Sequence, residues 1–389
     1  MTPGARQPKG VAPHPSSLTV RTIRHYVDHR AREQPEAPYL IVPETDATLT
    51  YGDLATASHA LGGYLLGLGL GKGDKIALML HNGYQTGRLL IGLMYAGFVA
   101  VPLNLLAHSS QLEYVLDHSD VELVFTSRDL EARLRAALAN VRRDVRVIVI
   151  DPDVIEFLDR AKLPATRLPD VGEDDEALLM YTSGTTGKPK GVLHTHRSVV
   201  AGGEYTSEAH RLTATDRVLC ALPLYHINGQ IVTAVAPLIH GGSIVMPDRF
   251  SVGAYWQQVA QYQCTWINVV PTMISYLLEG AEQCVDLGAA PIELLWKLEV
   301  LRAVMTPRDE PRLAGNVVPD SLAAAQIVQK ALGALIAILR SLLEQLHDDC
   351  RERGRHVCAH VAQTRWLLGN VAVYPFERAG CREGQATGQ

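Results

Sequence analysis

The sequence predicts a layered α/β domain with a largely parallel sheet between about residues 20 and 280, on three observations. Short apolar runs alternate with segments whose apolar residues recur every three or four positions from Leu40 to Leu278. The short runs are rich in branched side chains, which suit a buried strand. Several of them are closed by proline, which cannot donate to a central ladder.

Taken in order, Lys75 to Leu80 reads as a buried strand and Arg88 to Val99 as a helix. Between Gly67 and Gly73 four glycines alternate with other residues. They do not have dinucleotide-fingerprint spacing, and they precede a strand rather than open a helix, so the segment reads as a turn. Val121 to Thr126 and Val145 to Ile150 are strands, the second closed by Asp151-Pro152. Ala177 to Tyr181 is a further strand. Val218 to Leu222, Ser243 to Met246 and Thr265 to Val270 are expected to end at Pro223, Pro247 and Pro271.

A linker-like stretch from Leu163 to Glu176 carries two prolines and the acidic cluster Glu173 to Glu176. It divides a first α/β subdomain, 19–170, from a second, 171–300. Residues 1–18 combine Pro, Gly and basic residues without an apolar core and read as a disordered leader. Past Val300 the alternation stops. Ser321 to His347 reads as one helix with Val328, Leu332, Leu335, Leu339, Leu342 and Leu346 at heptad spacing. Ile336, Ile338 and Leu343 widen that stripe, which favours a packed globular helix over a coiled-coil seam. Residues 301–389 form a divergent, mostly helical tail whose Arg-, Cys- and Gly-tinged composition also suits a shifted reading frame.

The net charge of −5 and the absence of any run of five like charges exclude a nucleic-acid track and a polybasic membrane patch. The apolar run Ala331 to Leu339 is too short to span a bilayer, and no membrane span is expected. Six scattered cysteines fit a reducing compartment, read as cytoplasm. The expected partner is therefore a small molecule.

The chemistry concentrates in Tyr181-Thr182-Ser183-Gly184-Thr185-Thr186-Gly187-Lys188-Pro189-Lys190-Gly191. Glycines allow close backbone approach, and four hydroxyls and two lysines supply donors and positive charge for a polyphosphate. A Walker loop needs four residues between its glycines and a hydroxyl residue after the lysine. Here two residues separate Gly184 from Gly187, and Pro189 follows Lys188.

This segment resembles the phosphate loop of adenylate-forming enzymes, the AMP-dependent synthetases and ligases, of acyl-CoA synthetase type. Leu49 to Leu54, Gly71 to Ala77, Ala100 to Asn104 and Leu222 to Gly229 are similar to other stretches of that family, in the same order. Gly288 to Pro291 resembles a segment that touches adenine there. The resemblance covers about two-thirds of the chain and implies the layered αβαβα N-terminal domain of such an enzyme. It implies activation of a carboxylic acid by ATP with Mg²⁺, through an acyl-adenylate, and transfer to coenzyme A. It also implies that Thr182, Ser183, Gly184, Thr185, Thr186, Gly187 and Lys188 hold the β- and γ-phosphates, with Lys190 beside them. His226, Asn228 and Gly229 would line the acid pocket, and Lys188 and His226 would be the residues closest to catalysis.

The family's aromatic-Gly-x-Thr-Glu and Thr-Gly-Asp segments have no counterpart in the sequence, and no lid domain is recognisable. A truncated, impaired ligase is therefore expected, with two alternatives. One is a non-catalytic ATP- or acyl-adenylate-binding protein that docks a partner through Ser321 to His347; the other is a remnant that does not fold stably. The identity of the acid, short, long or aromatic, stays open. No metal site is assigned: His194 and His196, two apart on an expected strand, lack a third ligand nearby. Cys350, His356, Cys358 and His360 match no common zinc spacing.

Overall fold

A computed structural model describes residues 21–153, 167–182 and 188–281. The leader, the first four residues of the linker (Leu163 to Thr166), Ser183 to Gly187, Gly288 to Pro291, the helix expected at Ser321 to His347 and the Cys/His group near the C-terminus all lie outside the described residues. The described residues belong to one compact unit, Met1–Pro291.

The chain runs through α1 (Ile23–Glu33), β1 (Pro38–Val42), β2 (Ala47–Thr50), α2 (Tyr51–Gly67), β3 (Lys75–Met79), α3 (Tyr84–Ala96) and β4 (Val99–Pro102). It continues with α4 (Ser109–His118), β5 (Val121–Thr126), α5 (Arg128–Leu138), β6 (Arg146–Val149), β7 (Glu176–Thr182), β8 (Lys190–Thr195) and α6 (His196–Ala209). Then follow β9 (Arg217–Leu219), a π-helical segment (Asn228–Val235), α7 (Ala236–His240), β10 (Ser243–Val245), α8 (Val252–Gln261), β11 (Trp266–Ile267) and α9 (Pro271–Ala281).

Among the described residues two sheets form, in the orders β6-β5-β3-β4-β7-β8 and β11-β9-β10-β1-β2. Each is parallel apart from one antiparallel edge partner, β8 against β7 and β2 against β1. Sheet membership does not follow the chain: β1 pairs with β10 across about two hundred residues, Leu40 opposite Ile244. β7 and β8, which lie beyond the linker, complete the sheet begun by β3 and β4.

The pleat of β3 places two cores. Ile76 and Leu78 point into the core shared with α2, α3 and β1, whereas Ala77 and Met79 point to the opposite face, under α4 and α5. Each fully buried large aliphatic side chain contributes about 1.5–3 kcal/mol, so a strand buried on both faces has little freedom of register.

The Leu49 to Leu54 motif is a helix start. Thr50 Oγ1 accepts from the Asp53 amide at 3.1 Å while Asp53 Oδ2 accepts from the Thr50 amide, a reciprocal cap on α2. α3 is buried along its whole length. It begins at Tyr84 and ends at Ala96, not at the expected Arg88 and Val99. Gly97 at φ +90° caps it, and Val99 already belongs to β4. β9, β10 and β11 stop at Leu219, Val245 and Ile267, short of the prolines, and Pro271 opens α9 instead. The acidic cluster ties the edge of the sheet to its surroundings: Glu173 and Asp174 pair with Arg197 and Asp175 with Lys72. No helix among the described residues is long and apolar enough to cross a membrane.

Candidate functional site

The antiparallel pairing of β7 and β8 brings the two ends of the glycine- and threonine-rich loop together. Thr182 stands opposite Lys190 and Tyr181 opposite Gly191. Thr182, Lys188 and Lys190 are exposed there. Beside them a cleft open to solvent is lined by Asn104, Gln111, Tyr181, Thr182, Pro189 and Tyr225 among others. It lies past the carboxyl ends of β4 and β7, next to the point where the chain turns from β4 back across β3 to β5. That is where open parallel sheets place ligands.

The face of α4 nearest the loop is aromatic. His118 Nδ1 and the Tyr181 hydroxyl share a hydrogen bond of 2.8 Å. The His118 ring stacks on Tyr114 with centroids 5.1 Å apart, and the Lys188 ammonium lies 5.7 Å from the Tyr114 ring centroid. Burial raises the pKa of the Tyr181 phenol, so it stays protonated and able to donate.

The other wall follows β9. Asn82, only 6% exposed, donates from Nδ2 to the Leu222 carbonyl and accepts at Oδ1 from the Leu224 amide, both at 2.9 Å. This grip presents Tyr225 to the cleft, with its phenol pKa raised by burial. His226 packs against Tyr225, centroids 4.7 Å apart, and partial desolvation lowers its pKa, which keeps the ring neutral. The chain then winds into the π-helical segment. Gly229 lies on the Pro223 backbone, where a Cβ would meet the Pro223 carbonyl oxygen at 2.7 Å. Asn228 Oδ1 accepts from the Asn268 amide at 2.9 Å. Local π-helical geometry re-aims side chains and is frequent at functional sites.

Thr182, Pro189 and Tyr225 therefore line one cleft. Lys188 and His226 each stand one residue from a lining residue, and Asn228 and Gly229 are not among the lining residues. Tyr114, His118, Asn82 and Tyr225 are additions that the sequence reading did not single out. The spacing of Tyr114 and His118, four apart on an amphipathic helix, was the available signal for two of them.

The expected common strand of His194 and His196 is corrected. β8 ends at Thr195, whose Oγ1 accepts from the Ser198 amide, and His196 opens α6. His196 is fully buried, and its Nδ1 accepts from the Ile23 amide at 3.3 Å. Among the described residues no group of three or more His, Cys, Asp or Glu is placed to hold a metal ion.

Residues 27–331 match the family described as AMP-binding enzyme. The sulfoacetate–CoA ligase of Cupriavidus necator is 51% identical over 262 residues, which is 66% of this chain and 51% of that protein. The inhibitor-bound N-terminal domain of FACL13 from Mycobacterium tuberculosis superposes with a TM-score of 0.61 at 26% identity, covering 72% of this chain and 73% of that one. The o-succinylbenzoate CoA synthetase of Bacillus subtilis, solved with its acyl-adenylate intermediate, gives a TM-score of 0.59 at 29% identity, over 67% of this chain and 51% of that one. The chain spans about half the length of the curated relatives it matches.

Proposed function

This chain belongs to the AMP-binding enzyme family, and from that premise we propose that it takes part in ATP-dependent activation of a carboxylic acid and its transfer to coenzyme A. The observation that carries the reading is the loop between Thr182 and Lys188, whose two ends open beside the Tyr181 and Tyr225 cleft.

In this reading a carboxylate oxygen of the acid attacks the α-phosphorus of ATP. The bridging α–β bond breaks, and acyl-adenylate and pyrophosphate form. The thiolate of coenzyme A then attacks the acyl carbon and AMP leaves. Thr182 and Lys188, together with Ser183, Gly184, Thr185, Thr186 and Gly187, hold the β- and γ-phosphates. Charge that spreads over the leaving pyrophosphate meets donors already in place, which is where electrostatic preorganisation acts. Lys190, exposed and opposite Thr182, adds a second positive charge. Neutral His226 backs Tyr225 and helps shape the acid side of the site, with Asn228 and Gly229 setting the path of the chain behind it.

The higher identity to a sulfoacetate ligase than to a long-chain fatty acid ligase, 51% against 26%, favours a small polar acid over a fatty acid. The test is acid-dependent ATP–pyrophosphate exchange with sulfoacetate, other short acids, aromatic acids and fatty acids. Exchange with a short acid supports the reading. ATP binding without exchange for any acid would favour a nucleotide-binding role without turnover.

A further inference from the structure

We propose that Tyr114 and His118 of α4 are positioning residues that moor both ends of the phosphate loop to one helix face. The proposal rests on the ATP-dependent reading above. On the entering side, His118 shares its 2.8 Å hydrogen bond with the hydroxyl of Tyr181, the residue immediately before Thr182. On the leaving side, the Lys188 ammonium lies over the Tyr114 ring at 5.7 Å. The two moorings are themselves joined. The Tyr114 and His118 rings stack at 5.1 Å with 29° between their planes, and His118 meets Tyr181 edge-on at 5.8 Å.

The helix is a fixed support. Leu112, Val115 and Leu116 are buried in the outer core together with Leu179 of β7, so α4 cannot drift relative to the strand that feeds the loop. Its packing therefore fixes where the Tyr114 ring and the His118 imidazole stand relative to β7. Among the described residues no carboxylate stands within ion-pair distance of Lys188. An aromatic face attracts an ammonium much less than a phosphate does, so Tyr114 holds the cation near the site yet yields it to an incoming anion. Tyr114 is half-buried and His118 exposed, so both can be replaced without opening the core.

The experiment compares the full chain with Tyr114→Leu, Tyr114→Phe and His118→Leu, each checked for a native circular dichroism spectrum. The first readout is acylation of Lys188 relative to Lys190 by an amine-reactive ester, measured by mass spectrometry, with Lys190 as internal standard. The second is MgATP affinity by calorimetry. Tyr114→Leu should raise the Lys188 to Lys190 labelling ratio and weaken MgATP binding, each by about two- to fivefold. Tyr114→Phe, which keeps the ring face, should match wild type in both. His118→Leu should weaken MgATP binding in the same range while Lys190 labelling stays constant.

An unchanged labelling ratio in Tyr114→Leu overturns the mooring of Lys188. A changed ratio with unchanged MgATP affinity overturns the positioning role. If wild type binds no MgATP, the ATP-dependent reading falls and the positioning role falls with it. The labelling shift in Tyr114→Leu distinguishes that outcome from a missing contact.

Discussion

Gly229 lies so close to Pro223 that a Cβ on it would stand 2.7 Å from the Pro223 carbonyl oxygen. The obstacle is backbone, which cannot rotate away as a side-chain tip can. The neighbouring π-helical turn has little room to shift either, because Thr233 Oγ1 donates back to the Gly229 carbonyl. Gly229→Ala should destabilise the fold by about 1–3 kcal/mol, the usual cost of overpacking. Urea unfolding with an unchanged slope and a lower midpoint would match; an unchanged midpoint would mean that the turn tolerates a methyl group.

Asn82 gives a second handle on the same wall. Its single side chain satisfies the Leu222 carbonyl and the Leu224 amide in a buried setting. Asn82→Leu leaves both backbone groups unpaired and should cost about 1–3 kcal/mol. Asn82→Asp sets a carboxylate oxygen against the Leu222 carbonyl in a buried setting, so it should cost at least as much as Asn82→Leu. A higher midpoint for Asn82→Asp than for Asn82→Leu would show that the acceptor toward Leu224 outweighs the buried charge.

Two imidazoles make the fold sensitive to acid. Burial pushes His196 and His240 down to about 4, with Asp175 and Asp216 opposing in part. In the unfolded chain they titrate near 6.5. The unfolded state therefore binds protons first as the pH falls, and stability present above about 6.5 is lost progressively down to about 4. Each imidazole contributes on the order of 2–3 kcal/mol to that loss. Thermal melts should show the midpoint falling through this window, and a melt independent of pH over it would contradict the assignment. His240→Gln, which keeps a polar group beside Ser207, should reduce the slope.

At the loop, Lys188 and Lys190 are predicted to be unequal. Lys188 follows the glycine-rich segment and is moored beside the cleft, whereas Lys190 already belongs to the exposed edge strand β8. A lost hydrogen bond to a charged group is worth about 1.5–3 kcal/mol, so Lys188→Gln should weaken MgATP binding at least tenfold. Lys190→Gln should weaken it less, and more at low salt than at high salt. Calorimetry at two ionic strengths checks both; equal losses would place the two lysines in the same role.

Much of this was readable in advance, and the failures have physical reasons. β3 and β5 are apolar on both faces, so their runs stood out and β5 matches Val121 to Thr126 residue for residue. The pairing of Leu40 with Ile244 was invisible, because contact between distant segments leaves no mark in a local window. β9 was overextended since Cys220 still donates to the Val245 carbonyl after regular pairing has ended. The π-helical segment differs from an α-helix by one residue per turn over a short stretch, too little to change an apolar period. His196 was misplaced although Thr195, a side-chain cap, stood directly before it. The loop stands out in the sequence because glycines, hydroxyls and lysines seldom cluster so densely. Tyr114 and His118 stand out less, because their i,i+4 spacing is a weak signal on an amphipathic helix.

The sequence has no aromatic-Gly-x-Thr-Glu segment and no Thr-Gly-Asp segment, whose Glu and Asp the family resemblance expects to help hold Mg²⁺ and to grip the ribose. In the proposed reading, binding of the β- and γ-phosphates draws on Thr182 to Lys188, which are present in the sequence, so affinity for MgATP should persist. Reaction at the α-phosphorus needs the ribose and the metal held in register with the acid. Each missing preorganised contact of this kind costs about 10²–10³ in rate. Acid-dependent pyrophosphate exchange by this chain alone should therefore run at least about 10²-fold below that of the full-length Cupriavidus necator sulfoacetate–CoA ligase, at comparable MgATP occupancy. Equal rates would mean that other residues of this chain supply those contacts, and residues 282–389 would be the place to look for them.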